Sequence, residues 1–141
     1  METIYAYIAG IIDGEGCISI RKVYRKNKTQ VFYIPMIEVG MTHRKTIEFI
    51  AKTFGGSVWY EVIRKSGKNQ HKWRKAGTHI IPVLQKVFPY LITKKKQAIV
   101  ALSFASLIGK RGHKWSITER AYQNSIRIPL FKKMYSLNHL R

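Results

Sequence analysis

The sequence predicts an α+β fold in the order α-ββ-α-ββ-α-α, with a four-stranded antiparallel sheet that carries helices on one face. Three observations predict it. A strand-like pair followed by a helical segment occurs twice. Turn-forming residues separate the members of each pair. The strands and their turns hold much of the positive charge, as suits a sheet packed on one face and wet on the other.

Residues 3–14 read as a helix with Thr3 as N-cap, stopped by Gly14 and Gly16. It is apolar on nearly every side, which suits a buried or interfacial helix. Residues 17–25 and 30–41, rich in Ile, Val and Tyr, form a hairpin turning through Lys26, Asn27 and Lys28. Residues 43–54 place Ile47, Ile50, Ala51 and Phe54 on one helical face, and Gly55 and Gly56 end that helix. A second hairpin, 57–65 and 70–78, turns through Ser66, Gly67, Lys68 and Asn69. Helices follow over about 80–88, 94–108 and 117–136, with Pro89 between the first two. No linker or low-complexity stretch divides the sequence, so residues 1–141 are expected to form a single domain.

Composition narrows the partners. With 45% hydrophobic residues, three Trp, eight Tyr and six Phe, the chain has a core to bury rather than a solvating tail. Twenty-six Lys and Arg against seven acids leave a net charge of +19, a field that attracts polyanions. Nucleic acid is the default partner, because neutralising phosphates releases counterions. An anionic membrane surface would call for one basic amphipathic helix, whereas here the charge is spread over several polar segments. A basic ribosomal-type protein is compatible with composition alone. Cys17 is the one cysteine, so neither an internal disulfide framework nor a Cys-rich zinc site is expected. The opening METIYAYIAGIIDGEG is short, lacks a basic flank and runs into acids. It reads as neither signal peptide nor membrane span, and an intracellular setting (cytoplasm, nucleoid or organelle) is expected.

The first hairpin carries Arg21, Lys22, Arg25, Lys26 and Lys28; the second carries Arg64, Lys65, Lys68, Lys72, Arg74 and Lys75. A basic twisted ribbon fits a DNA major groove. The plainer alternative is a sheet with its cations in solvent.

Residues 8–16, IAGIIDGEG, carry the chemistry. Two of the seven acids, Asp13 and Glu15, fall within three residues. Glu15 sits at a helix C-terminus, where the macrodipole disfavours an anion unless a cation is near. A divalent ion shared by a carboxylate and a backbone carbonyl of the last turn would resolve the conflict. Ala6, Ala9, Gly10, Asp13 and Gly14 are small residues at helical spacing, which allow another helix to approach closely. Gly10 costs about 1 kcal/mol relative to Ala inside a helix, so a close contact is expected there. A symmetric pair of such helices requires a second subunit and would bring two Glu15 side chains together.

This segment resembles the signature of the LAGLIDADG homing endonucleases. The element order resembles the family core, FGGSV at 54–58 its helix-to-strand junction, and PYLITKKKQA at 89–98 its later lysine-bearing segment. The resemblance implies a homing endonuclease-like fold of the single-motif, homodimeric type. It implies a metal-dependent enzyme, using Mg²⁺ or Mn²⁺, that cuts double-stranded DNA at a long pseudo-palindromic site and leaves short 3′ overhangs. A non-catalytic DNA-binding regulator and an RNA-splicing maturase acting on intron RNA are the alternatives that the family holds.

By resemblance, Glu15 is the catalytic carboxylate, Glu15 and the Gly14 carbonyl are metal ligands, and Lys94 is the active-site lysine. Ala6, Ala9, Gly10 and Asp13 would form the dimer interface, Asp13 bracing the partner helix. Three cations at 94–96 oppose the dipole of a helix start, so a bound anion such as DNA phosphate is expected there. Relatives often place Gln at the end of the second strand; here Val39 or Met41 falls there, with Glu38, Thr42, His43 and Arg44 as neighbouring polar substitutes. Period-two alternation from Glu15 puts Cys17, Ser19, Arg21, Val23 and Arg25 on the DNA side, with Ile18 and Ile20 in the core. Lys28 and Glu38 join that set. In the second hairpin Tyr60, Arg64, His71, Trp73 and Lys75 are the weaker candidates for DNA contact, and Trp73 suits the core equally well. The loop GKRGHKW at 109–115 is expected to clamp the backbone.

Overall fold

The computed structural model describes residues 1–24, 31–62, 65, 69–108 and 116–139. Arg25, Lys28, Arg64, both predicted hairpin turns except Asn69, and the 109–115 loop lie outside the described residues.

Helix α1 (Glu2–Glu15) runs directly into strand β1 (Gly16–Tyr24). The N-cap lies two residues earlier than Thr3, at Met1, whose carbonyl accepts the amides of Ile4 and Tyr5. Gly14 does not stop it. The stop is at Gly16, whose amide donates to the Ile12 carbonyl while its backbone is already extended. A Cβ at Gly16 would lie 2.8 Å from Ile12 Cα and O, so only glycine permits so abrupt a turn. The consequence is functional, because Glu15 is held at the corner between helix and sheet.

β2 (Val31–Met41) pairs antiparallel with β1. Helix α2 (Arg44–Phe54) buries Ile47 and Ile50, the face that its periodicity predicts. β3 (Ser57–Glu61) and β4 (Gln70–Ala76) form the second hairpin, and β4 inserts beside β2, giving the order β1-β2-β4-β3. All three pairings are antiparallel. Helix α3 (Ile80–Val87) is flanked by 3₁₀ turns at Gly77–His79 and Phe88–Tyr90. Helix α4 is Lys95–Ala105 and helix α5 is Ile117–Asn138.

The core lies between one sheet face and the helices. Ile8, Ala9 and Ile12 of α1 meet Ile18, Ile37, Val39 and Trp73 of the sheet, and α3 and α4 close over them with Leu84, Ala101 and Phe104. Burial of a side chain such as Ile or Leu contributes about 1.5–3 kcal/mol. The buried Trp73 indole donates to the Gly55 carbonyl at 2.7 Å, so its polar atom is satisfied. Helix α5 begins in a capping box of Ser116 and Glu119 and lies along β1, an edge strand. Asn138 Nδ2 donates to the Ile18 carbonyl at 3.0 Å, occupying one of the backbone groups that an edge leaves open.

Candidate functional site

Two carboxylates two residues apart have opposite fates at the end of α1. The Asp13 carboxylate accepts the amides of Ile92 at 2.7 Å and Lys94 at 3.0 Å. It therefore satisfies orphan donors at the start of α4, where a negative charge is favourable. Lys94 Nζ returns the contact by donating to the Asp13 carbonyl at 2.6 Å, placing a cation at the C-terminal end of α1. The two helix termini are thus joined by an exchange of opposite charges. This corrects one expectation: Asp13 spends its carboxylate within its own chain instead of on a partner helix.

Glu15 is exposed, and among the described residues it forms no hydrogen bond or ion pair. Lys94 is half-buried, its ammonium tied to the carbonyl of Asp13, two residues before Glu15. Only one of the ammonium's three donors is used by that bond, which leaves donors for an incoming oxyanion. The Gly14 carbonyl belongs to the last helical turn, where carbonyls lack intrahelical partners. A carboxylate and a carbonyl are hard oxygen donors of the kind that hold Mg²⁺ or Mn²⁺. Among the described residues no three His, Cys, Asp or Glu side chains form a metal-binding group.

The α1 surface divides cleanly. Ala9 is 0% exposed, packed into its own core, so it cannot touch a second subunit and leaves the expected interface set. Ala6 is half-buried, while Tyr7, Gly10 and Gly14 are exposed. A Cβ at Gly10 would meet nothing within 4 Å. The close approach that would justify this glycine is therefore not supplied by any of the described residues.

The open sheet face is set by register. Cys17, Ser19 and Arg21 of β1 pair with Glu38, Met36 and Ile34 of β2. Glu38 pairs with Arg74 of β4, and Gly40 with Lys72; these pair with Ser57 and Trp59 of β3. Ser19, Arg21 and Glu38 are on this face, as alternation from Glu15 predicts. In the second hairpin the predicted phase is wrong by one residue. Trp73 is 0% exposed and cannot reach a duplex, and Tyr60, His71 and Lys75 share its side of the sheet by period-two alternation. Tyr60 and His71 stack on each other there with ring centroids 4.9 Å apart. Trp59 was missed, and Lys72 and Arg74, though counted among the cations of the basic ribbon, were left out of the expected contacts. The signal was present: a lone tryptophan flanked by Lys72 and Arg74 belongs inside, which sends both cations outward.

At the middle of the open face Glu38 gathers three cations. Its Oε2 accepts from Arg74 Nε at 2.9 Å and Nη2 at 2.6 Å, its Oε1 from Lys72 Nζ at 3.4 Å, and Arg21 Nη2 lies 3.8 Å away. Lys72 also pairs with Glu61 at 3.3 Å. Burial alone would raise the Glu38 pKa, but the hydrogen bonds and charges of Arg74 and Lys72 outweigh it and hold the group below its ordinary value. Lys72 lies across Gly40, where a Cβ would come within 2.8 Å of its Cδ. At the end of β2 stands Met41, half-buried and paired with His71, and His43 Nδ1 is 2.8 Å from Thr46 Oγ1 at the start of α2.

A family model for the LAGLIDADG endonuclease matches residues 8–106, from the motif in α1 to the end of α4. The chain belongs to the LAGLIDADG endonuclease family. Solved structures share its fold. The homing endonuclease I-CvuI, in complex with its target in the presence of 2 mM Ca, superposes with a TM-score of 0.79 at 22% identity, over 99% of this chain and 85% of that one. The archaeal intron-encoded homing endonuclease I-Vdi141I, complexed with DNA, gives a TM-score of 0.75 at 17% identity, over 96% and 84%. The LAGLIDADG homing endonuclease I-GzeII, in complex with its DNA target, gives 0.73 at 18% identity, covering 92% of this chain but 44% of that one. No curated protein sequence matches the chain. The α+β fold with its four-stranded antiparallel sheet is the one predicted from the sequence. Among the described residues no helix is long and apolar enough to cross a membrane.

Proposed function

We propose that the chain is one subunit of a homodimeric, site-specific endonuclease that hydrolyses both strands of a long pseudo-palindromic DNA site and leaves short 3′ overhangs. The observation that carries this reading is the corner at Gly16, where the exposed Glu15 carboxylate, without a hydrogen bond or ion pair among the described residues, follows the Asp13–Lys94 junction by two residues. Glu15 and the Gly14 carbonyl are the donors that would hold a divalent cation, Mg²⁺ or Mn²⁺. Such an ion supplies Lewis acidity toward a phosphodiester and an activated water when bound. Lys94, fixed by Asp13 at the same corner, offers its remaining donors to the phosphate oxygens as charge develops. The basic open face of the sheet grips the duplex, and its attraction weakens as salt rises.

Pairing of two copies is supported by Gly10, an exposed helical glycine facing open space. It is also supported by the neighbours: this fold fills most of I-CvuI but under half of I-GzeII, as expected of a unit that works in twos. One observation favours a second reading, a DNA-binding regulator without catalysis: Met41, whose thioether is a weak acceptor and no donor and so is poorly suited to organising water, stands at the end of β2.

A duplex library incubated with Mg²⁺ separates the two. The wild type cuts a defined subset of sequences, and Glu15→Gln binds the same subset without cutting. A wild type that binds a defined site and never cuts with Mg²⁺ or Mn²⁺ makes the regulator the correct reading.

A further inference from the structure

The geometry points to Arg74 as a guanine-reading residue of each half-site, held ready by Glu38 and Trp59 as positioning residues. This rests on the DNA-binding reading above and names which side chain reads which base edge.

The inference follows from the donors of one guanidinium. Arg74 has five N–H groups in a rigid plane. Two of them, Nε–H and one on Nη2, are taken by the same oxygen of Glu38. That is the side edge of the plane. The end edge, formed by one donor each of Nη1 and Nη2, is not engaged by Glu38. Guanine presents O6 and N7 as two adjacent acceptors in the major groove, and an arginine end edge matches that spacing. The plane is fixed in its other dimension by Trp59, whose ring lies 4.7 Å from Arg74 Cζ. Stacking and a carboxylate on one edge leave the guanidinium little freedom, so less order is lost when it grips a base.

Glu38 is unsuited to reading a base directly. Oε2 accepts two hydrogen bonds from Arg74, Oε1 faces Lys72, and Arg21 closes the remaining side. Nor does a carboxylate on a phosphate-binding face aid affinity, since it repels the backbone. Two of the chain's seven acids, Glu38 and Glu61, nevertheless stand on this face and pair with its cations. Their charge is explained if they trade non-specific attraction for orientation. Lys72 is spanned by both acids, which makes it a strut between β2 and β3.

The test is selection of bound duplexes from a randomised pool by the full-length chain, with Ca²⁺ replacing Mg²⁺ so that cleavage plays no part. The wild type is expected to retain a G:C pair at one position of each half-site. Arg74→Lys keeps the charge but loses the fork, so preference at that position alone should fall by about tenfold to a hundredfold. Trp59→Ala should relax the same position, and Trp59→Phe should restore it. Glu38→Gln should relax it too while tightening binding to unrelated DNA, a sign opposite to that of damage to the fold. If Arg74→Lys weakens all sequences equally and leaves the selected site unchanged, Arg74 is a phosphate contact and the inference fails while the endonuclease reading stands. If the wild type selects no sequence at all, both fail together.

Discussion

The end of α1 and the open face of the sheet both set carboxylates against cations, yet they do so in opposite ways. On the sheet, Glu38 is saturated: Arg74, Lys72 and Arg21 surround it and its charge is spent on orientation. At the helix end, Asp13 is saturated in the same manner by the 92–94 backbone, but Glu15, two residues on, is left open. A closed carboxylate holds geometry; an open one is the group that, in the function proposed above, would bind an ion. The sequence places the acids in both regions, and the proposed difference in their roles rests on the difference in their partners.

Four changes break or sharpen that contrast. The largest effect is expected at the open group: Glu15→Gln should reduce cleavage by about a hundredfold or more while leaving the bound site and the melting temperature unchanged, since even outer-shell changes at metal sites cost roughly 10–100-fold. Measured turnover on a cognate duplex beside its binding curve checks it. Next is the face of α1. Gly10→Leu enters open space in the single chain and replaces a poor helix former with a good one, gaining up to about 1 kcal/mol of intrinsic propensity. The isolated subunit should therefore fold at least as well while self-association falls, which sedimentation and a melting curve read together.

A smaller effect is expected at the closed group beside Glu15. Asp13→Asn removes the charge that caps α4 and should cost about 0.5–2 kcal/mol of stability, the range for lost helix caps. Cleavage should also slow, because an amide side chain can accept only one of the two backbone N–H bonds that hold the 92–94 segment, so Lys94 is positioned less firmly although its bond to the residue 13 carbonyl remains. A denaturant titration beside a cleavage assay separates the two. The smallest concerns Glu38. Its folded pKa lies below the ordinary 4.5, so the stabilisation from its pairs is fully present above that value and is lost as pH falls through the folded pKa. The stability gap between wild type and Glu38→Gln should be flat above about pH 4.5 and close below it, on the order of 0.2–1 kcal/mol in all, as for partly exposed ion pairs.

How far the sequence could be read differed between the two hairpins for a physical reason. In the first, the motif fixes Glu15 at the helix end and Gly16 forces the strand to start there, so every later residue of β1 has an assigned side. Ser19 and Arg21 lie on the open face and Ile18 and Ile20 in the core accordingly. The second hairpin has no such anchor. Its HKWRK run allows two phases, and the phase with Trp73 outward places Tyr60, His71 and Lys75 on the face opposite to the open one, where the structure has Trp59, Lys72 and Arg74. Ala9 was misplaced for a related reason: small residues at helical spacing mark a close approach, and whether the neighbour is the chain's own sheet or another helix depends on packing not written in the spacing. The pairing of Asp13 with residues 92–94 joins positions about eighty apart, beyond the reach of local pattern. The resemblance had brought Asp13 and Lys94 to notice as separate residues.

The account depends on two chains meeting at α1 over one duplex. Sedimentation of the chain with a single duplex carrying its selected site, in Ca²⁺, measures this directly. Two chains per duplex for the wild type, and weaker recruitment of the second chain for Gly10→Leu, are predicted. One wild-type chain per duplex at saturation, with both strands still cut in Mg²⁺, would contradict it.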